Sequence, residues 1–376
     1  MVALQSRLPR SIQVMRHRDF ALVQIGNGVS QLGTWGQYVA LGWAIRQLSG
    51  WPFAVSLSLV AQFLPFLLLA PLGGALADRK SRRRLVVVGN VLAVPPSIAL
   101  GVLVATGEQT IALLLTLAAM GGIVTALTQP AMSAVVGEIV PTDELPEAVA
   151  SMSIVNNLTR ILGPSMAALV ISGWGLQWAF YLNAASFFAV VIAWAFVRTT
   201  PRAHETHEPV RRQLLLGLRF ARADRQIGFL LLVTFVTTFV VYHAALMPVI
   251  VTDLLHGGTS AYALLQTMTG VGAIAGAIVE MVWIGHPKWV SATVYLTIGW
   301  VAAVAFPQLW ETLGPGGALL LVTGGILYTA GAVVYATQRP DPNPAIFGYH
   351  EVFHAFVIAA AVVHFSVIAF WALPKA

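Results

Sequence analysis

Charged side chains are scarce in this sequence. Asp, Glu, Lys and Arg make up only 10% of the 376 residues, whereas 57% are hydrophobic. A soluble protein carries roughly 25% charged residues. So few charges cannot cover a surface that faces water, and most of the surface is therefore expected to face lipid. The composition predicts a membrane protein.

Cysteine is absent altogether. This absence excludes disulfides, thiolate chemistry and cysteine-based metal sites. The sequence also lacks the short apolar core and small-residue cleavage site of a secretory signal, because the basic, mixed stretch Met1–Asp19 leads straight into a long apolar run. We therefore expect that run to be a retained first span.

What the sequence does contain is a series of long apolar runs, each near the ~20 residues that a membrane-spanning helix needs. Continuous runs of this length predict helices and not a β-barrel, whose strands alternate over short segments. The predicted fold class is an all-α polytopic membrane protein with about 11 transmembrane helices. The runs lie at 20–46, 53–77, 85–106, 111–136, 151–172, 178–197, 228–251, 261–281, 291–307, 318–336 and 349–371.

The basic residues, which give the chain a net charge of +6, cluster in alternate loops. Most of them lie in residues 7–18, 79–84 and 198–225. The intervening loops contain no Lys or Arg, at 107–110, 173–178, 252–260 and 307–317. This positive-inside pattern predicts a cytoplasmic N-terminus, and an odd number of spans then places the C-terminus outside. It indicates contact with the anionic headgroups of a lipid bilayer and not with nucleic acid.

The loop after the second predicted span contains a motif, GALADRKSRRR, at residues 74–84. It resembles the signature loop of the major facilitator superfamily, with Ser81 in place of the second glycine. The resemblance implies a cytoplasmic gate held by charge-assisted hydrogen bonds that break as helices rock. Its residues would be Asp78, Arg79, Arg82 and Arg83. The alternative is a positive-inside loop with an incidental aspartate.

Four further stretches are distinctive: RDF at 18–20, QPA at 129–131, VPTDEL at 140–145 and NNLTRILGP at 156–164. They resemble a subgroup of that superfamily, the enterobactin exporters, and the resemblance covers residues 16 to about 278. After the last stretch, Ala167-Ala168 replaces the usual Gly-Gly pair. The resemblance implies an exporter of a small-molecule solute, a drug or a siderophore-like compound, that works by alternating access. Such a transporter needs no cofactor and no catalytic residue.

Polar side chains recur on one face of two predicted spans. Gln24, Asn27 and Gln31 follow one another at steps of three and four on the first span, as do Asn156 and Arg160 on the fifth. Because polar groups are costly in lipid, these residues are expected to line a substrate path or to bond a neighbouring helix. Arg160 is the only Lys or Arg well inside a span, which makes it a candidate for an anionic substrate group or a structural carbonyl. The middles of the spans contain no Asp or Glu, so proton coupling lacks support.

The C-terminal part contains four distinctive stretches: WIGHPKW at 283–289, YLTIGW at 295–300, GGILY at 324–328 and FGYHEVFH at 347–354. These stretches resemble a different family, haemolysin III, whose relatives are the adiponectin receptors. The resemblance implies zinc at His350 and His354, whose spacing puts both on one helical face. The family's further histidine ligand comes from an early helix that has no counterpart here. Two alternatives stay open: the HExxH pattern of a metalloprotease, and two interfacial histidines that bind no metal.

Together the two resemblances divide the chain into four predicted parts. These are an N-terminal six-helix transporter bundle (1–197), a basic cytoplasmic linker (198–227), the first two helices of a second bundle (228–279) and three haemolysin III-like helices (280–376), so that the second part is a five-helix hybrid. Three hypotheses follow: a transporter of the bacterial inner membrane that is not an enzyme, a zinc-dependent membrane hydrolase, or an inactive fusion product. The oligomeric state cannot be read from the sequence.

Overall fold

In the computed structural model, the described residues are 10–198, 287–300, 306–343 and 347–367, together with short stretches between 219 and 268 and residues 303, 370 and 371. They fall into two compact units. The first lies within Met1–Leu216 and Ala245–Ile274, and the second within Gly217–Ala244 and Ala275–Ala376. The described residues are helical apart from turns and a β-bridge between Asn343 and Phe347.

Six long helices make up most of the first unit, and each coincides with one of the first six predicted spans. They are α1 (Arg18–Leu48), α2 (Pro52–Arg79), α3 (Arg82–Thr106), α4 (Ile111–Ile139), α5 (Leu145–Trp174) and α6 (Leu176–Phe196). Ahead of α1, a helical turn at Arg10–Gln13 and a 3-10 turn at Val14–Arg16 bury Val14 against the ends of α4 and α5.

Local sequence fixes where several of these helices begin and end. Ser81 and Thr110 are the N-caps of α3 and α4, because each hydroxyl accepts a hydrogen bond from the backbone N–H three residues later. Pro52 lies in the first turn of α2, where its missing N–H is not needed. Gly107 follows the end of α3 with φ 76°, a left-handed conformation that glycine adopts without strain.

Small residues let the six helices approach one another closely. Gly26 of α1 lies against Ala189 and Ala193 of α6, and Gly36 of α1 lies against Ala167 of α5. In lipid, where no hydrophobic effect drives helices together, such small-residue contacts supply the packing energy. α1 packs mainly against α5 and α6, α2 against α4, and α3 against α4 and α6.

The second unit contains three described helices: α7 (Lys288–Trp300), α8 (Phe306–Thr337) and α9 (Tyr349–Val367). α8 is interrupted at Gly314, which has φ 75° and precedes Pro315, and it packs against α9 and α7. Within the described residues, seven helices are long and apolar enough to cross a membrane: α2 to α6, the Leu313–Thr337 part of α8, and α9. α1 is equally long, but its polar side chains keep it outside this set.

Some predicted boundaries were wrong. α5 begins at Leu145 and not at 151, since Pro146 in the first turn of a helix needs no hydrogen-bond partner. α8 begins at Phe306, before the predicted start at 318. Most of the linker and most of the predicted spans at 228–251 and 261–281 lie outside the described residues, so the count of eleven and the four-part division stay predictions.

Candidate functional site

The first unit contains a cavity of about 390 Å³ to which all six long helices contribute side chains. Four of the five residues predicted to form a substrate path line this cavity: Asn27, Gln31, Asn156 and Arg160. The fifth, Gln24, is 3% exposed and is not among the lining residues, and its buried Nε2 has no hydrogen-bond partner. The polar face of α1 therefore lines the cavity from Asn27 onward, but not at Gln24.

The polar wall of the cavity joins α1 to α5. Gln31 Nε2 donates a hydrogen bond of 2.8 Å to Asn156 Oδ1, and Thr159 Oγ1 donates one of 3.3 Å to Gln31 Oε1. Arg160 lies one turn beyond Asn156, with its guanidinium carbon 5.8 Å from the centroid of the Trp35 ring. This distance is within the range of a cation–π interaction. Gln31 and Asn156 thus line the cavity and also bond to each other across the helix interface.

An aromatic wall continues from Trp35 across the cavity. The Trp35 and Tyr38 rings meet edge to face at a centroid distance of 5.4 Å, and Tyr38 meets Phe63 of α2 in the same way at 5.5 Å. All three rings line the cavity. Edge-to-face contacts of this kind fix ring orientations, so the cavity has a defined apolar surface beside its amide groups.

Several lining residues were not anticipated from the sequence. Gln62 of α2 is 4% exposed, and its Nε2 donates a hydrogen bond of 2.8 Å to the Ser58 carbonyl oxygen, while its Oε1 is buried without a partner. Asn90, Gln129 and Asn157 also line the cavity. The signal that could have identified Gln62 and Asn90 is an amide inside an otherwise apolar run.

Behind the cavity, a buried amide connects three helices. Asn183 of α6 is fully buried, and its Nδ2 donates hydrogen bonds to Gln37 Oε1 of α1 at 2.8 Å and to Ser97 Oγ of α3 at 3.5 Å. Its Oδ1 accepts from Thr34 Oγ1 at 3.4 Å. Because unpaired polar groups are costly in a buried site, this network holds α1, α3 and α6 in one arrangement around the cavity.

The predicted gate residues lie at one end of the bundle. Arg82 is 7% exposed and contacts the Glu138 carboxylate of α4 directly, with Asp78 at 3.6 Å. Its guanidinium also donates to the carbonyl oxygens of Ala77 at 3.2 Å and Ala134 at 3.4 Å. Glu138, which the sequence motif does not include, is closer to Arg82 than the motif aspartate Asp78 is. Arg82 thereby ties together the ends of α2, α3 and α4.

Further charged contacts lie at the same end of the six helices. Arg83 Nη1 donates to the Val197 carbonyl oxygen at 3.5 Å, just after α6, and Arg79 is exposed at the end of α2. Glu144, before α5, pairs with Arg16 and with His17, whose Nε2 lies 2.9 Å from Glu144 Oε2. This end of the bundle thus joins helix termini through ion pairs and carbonyl contacts.

The two C-terminal histidines lie together in the first turns of α9. The Nε2 atoms of His350 and His354 are 3.1 Å apart, and both side chains are exposed. With Zn–N bonds of about 2.0–2.1 Å, two ligands of a tetrahedral zinc ion are roughly 3.3 Å apart, so the pair fits two such ligands. Among the described residues, no group of three His, Cys, Asp or Glu side chains could hold a metal ion.

The glutamate between these histidines has a structural contact. Glu351 Oε2 accepts a hydrogen bond of 2.9 Å from the Gly348 backbone N–H, as the third residue of a helix does in a capping box. His364 is on the same helix, but its Nε2 lies 3.1 Å from the Leu321 carbonyl oxygen of α8. The HExxH reading requires Glu351 as a base, and this carboxylate is engaged in the helix cap.

Comparison with curated proteins finds relatives of two kinds. An uncharacterized MFS-type transporter, YfiS of Bacillus subtilis, is 26% identical over 200 residues, covering 52% of this chain and 47% of its own length. Macrolide efflux protein A of Streptococcus pyogenes is 22% identical over 263 residues, which are 69% of this chain and 65% of that protein. Hemolysin-3 of Bacillus cereus is 32% identical over 104 residues, which are 28% of this chain and 45% of that protein. The matches thus span about half the length of the first of these relatives.

Solved structures show the same fold. A bacterial homolog of the human lysosomal transporter Spinster matches 93% of this chain and 74% of its own chain, with a TM-score of 0.52 and 14% sequence identity. The family model described as transmembrane secretion effector matches residues 11–333, which runs past residue 278, where the transporter resemblance was expected to end. Since this match includes most of the sequence, the chain belongs to the transmembrane secretion effector family of major facilitator transporters.

Proposed function

We propose that this protein exports a small molecule across the bacterial inner membrane by alternating access. The observation that carries the proposal is the polar and aromatic cavity of the first unit, with Arg160 on its wall. The efflux-related names of several relatives support it: macrolide efflux protein A, a staphyloferrin A transporter and the multidrug resistance protein MdtG. These names describe the relatives, and they define the compound classes to test first.

In this proposal the cavity is part of the solute path. Asn27, Gln31, Asn156 and Arg160 bind the solute, because their amide and guanidinium groups can exchange bonds within the protein for bonds to the substrate. Gln24 lies one turn before Asn27 on the same face of α1 and joins the path when the helices rock. Its buried, unpartnered amide nitrogen supports that assignment.

The charged end of the bundle is proposed as the cytoplasmic gate. Arg82 connects the ends of α2, α3 and α4 there, and Arg83 contacts the end of α6. Asp78 and Arg79 are the last two residues of α2. The clustering of arginines at this end agrees with the positive-inside rule, which places the N-terminus in the cytoplasm and, for eleven spans, the C-terminus outside. Transport by this route requires no cofactor.

The direct test is efflux by the full chain in a bacterial strain that lacks its own exporters. Accumulation of at least one compound in a panel that includes macrolides should fall when the chain is expressed. Arg160→Ala should restore accumulation at an unchanged level of membrane protein, whereas Arg84→Ala, which removes an exposed arginine away from the cavity, should export normally. Equal export by Arg160→Ala would remove the role of Arg160, and a well-inserted chain that exports nothing would refute the function.

The zinc-dependent hydrolase is a second candidate, because the 3.1 Å separation of the two histidine nitrogens suits a shared zinc ion and part of the chain resembles Hemolysin-3. Catalysis is disfavoured because the Glu351 carboxylate, which would be the base, accepts a hydrogen bond in a helix cap. The inactive fusion product would have its transporter-like and haemolysin III-like parts joined near residues 277–283, which lie outside the described residues. A chymotryptic peptide from native membranes that crosses this join, within Tyr262 to Trp289, would establish that both parts belong to one polypeptide.

A further inference from the structure

The described part of the cavity wall carries charge of one sign. Among the lining residues that the structure describes, Arg160 is the only charged side chain, so no carboxylate faces the cavity there. Trp35, Phe63 and Phe66 supply an apolar wall beside it, and electrostatic interactions are stronger next to such low-dielectric groups than in water. Arg160 is therefore placed to attract an anionic group to this part of the cavity wall.

A second observation points to what else the ligand carries. Gln62 is 4% exposed and lines the cavity, and its Nε2 is occupied by the Ser58 carbonyl oxygen. Its Oε1 is a buried acceptor without a partner. Buried polar atoms in native proteins are nearly always hydrogen-bonded, so this oxygen is suited to receive an O–H or N–H group of a bound molecule.

The surface between these two polar groups is aromatic. Trp35 lies beneath Arg160, Tyr38 contacts Trp35, and Phe63, which follows Gln62 in the sequence, contacts Tyr38. Ring edges and faces favour a flat apolar body through offset or edge-to-face stacking. A volume of about 390 Å³ lies in the range of small-molecule sites, roughly 300–1,000 Å³.

We infer that the ligand of this cavity is an organic anion with three features. A carboxylate or similar oxyanion meets Arg160, a flat apolar body lies against the aromatic wall, and a hydroxyl or N–H group donates to Gln62 Oε1. The inference rests on the proposed function in one respect, because the ligand is taken to be the exported solute. It names a substrate class and excludes cationic drugs as preferred ligands of this cavity.

The test is equilibrium dialysis of the purified full chain in detergent with a matched naphthalene series: 2-naphthoate, hydroxylated 2-naphthoates and naphthylmethylammonium. A chamber with detergent alone gives the baseline. The hydroxynaphthoates should bind best and the ammonium worst. Arg160→Gln should weaken naphthoate binding about tenfold or more, as expected for loss of a charge-assisted hydrogen bond. Arg160→Lys should keep the preference for anions, and Arg84→Gln, which removes an exposed charge elsewhere, should change nothing.

Gln62→Met should abolish the advantage of the hydroxylated over the plain naphthoate and leave the preference for anions intact. Ammonium binding as tight as that of any naphthoate, naphthoate binding unaffected by Arg160→Gln, or no naphthoate binding above the baseline would each overturn the inference. Binding does not require transport. Arg160-dependent anion binding without efflux would therefore refute only the proposed function, whereas efflux of a cation that is insensitive to Arg160 would refute only this inference.

Discussion

Glu138 and Asp78 both contact Arg82, and their replacement by alanine should have very different effects on stability. Arg82 is 7% exposed and touches Glu138 directly, whereas Asp78 stands 3.6 Å away with its side chain 44% exposed. The two variants remove the same chemical group from the same cation. They differ in how closely that group is held and how much solvent surrounds it.

The magnitudes follow from burial. Removing one partner of a buried ion pair costs about 3–5 kcal/mol, because a charge is left uncompensated. Asp78 and two carbonyl oxygens stay near Arg82 after Glu138→Ala, so the lower end of that range, about 3 kcal/mol, is expected. Asp78→Ala removes a solvent-screened pair and should cost about 0–1 kcal/mol.

The assay is thermal unfolding of the purified full chain in detergent, with wild type, Glu138→Ala and Asp78→Ala prepared side by side. Glu138→Ala should lower the apparent melting temperature by several degrees more than Asp78→Ala does. Glu138→Gln, which keeps an acceptor for Arg82, should fall between wild type and Glu138→Ala. An Asp78→Ala variant as unstable as Glu138→Ala would show that the motif aspartate and not Glu138 balances the arginine, and the reasoning would fail.

Two further predictions concern helix packing and metal binding. A methyl group at Gly122 would overlap a backbone carbonyl oxygen of α2, whereas one at the adjacent Gly121 meets open space; Gly122→Ala should therefore destabilise the chain by about 1–3 kcal/mol in the same unfolding assay, with Gly121→Ala near wild type. If the histidine pair binds zinc, metal analysis of purified protein should find about one zinc per chain. It should be lost in the double variant His350→Ala and His354→Ala and kept in His364→Ala; zinc-free wild-type protein would contradict the site.

The sequence predicted the first six helices because each is a long, mainly apolar stretch of about the length that crosses a bilayer. It also predicted which face of α1 and α5 bears the polar groups, since helical periodicity places Asn27 and Gln31, or Asn156 and Arg160, on one side. It failed at the start of α5, where a proline and charged residues interrupt the apolar run but are compatible with the first helical turn.

The contacts between helices could not be predicted in this way. Glu138 is 56 positions from Arg82 in the chain. A local sequence pattern therefore cannot predict that the end of α4 lies beside the start of α3. The same holds for Gln62, whose place on the cavity wall depends on the rotation of α2 against α4. Gln24 was predicted to line the path because it shares the polar face of α1, yet it lies outside the cavity lining. Periodicity gives the face of a helix, and packing decides what that face meets.

The central claim is that the cavity of the first unit is a water-filled solute path within the membrane. Because the chain has no native cysteine, single cysteines can be placed at Asn90, which lines the cavity, and at Leu92, which is 57% exposed. The two positions are about 3 Å apart along α3 and lie on opposite faces. In right-side-out and inside-out vesicles, a hydrophilic thiol reagent should label Asn90→Cys from at least one side and Leu92→Cys from neither. Asn90→Cys that resists labelling from both sides, or Leu92→Cys that reacts equally well, would contradict the account.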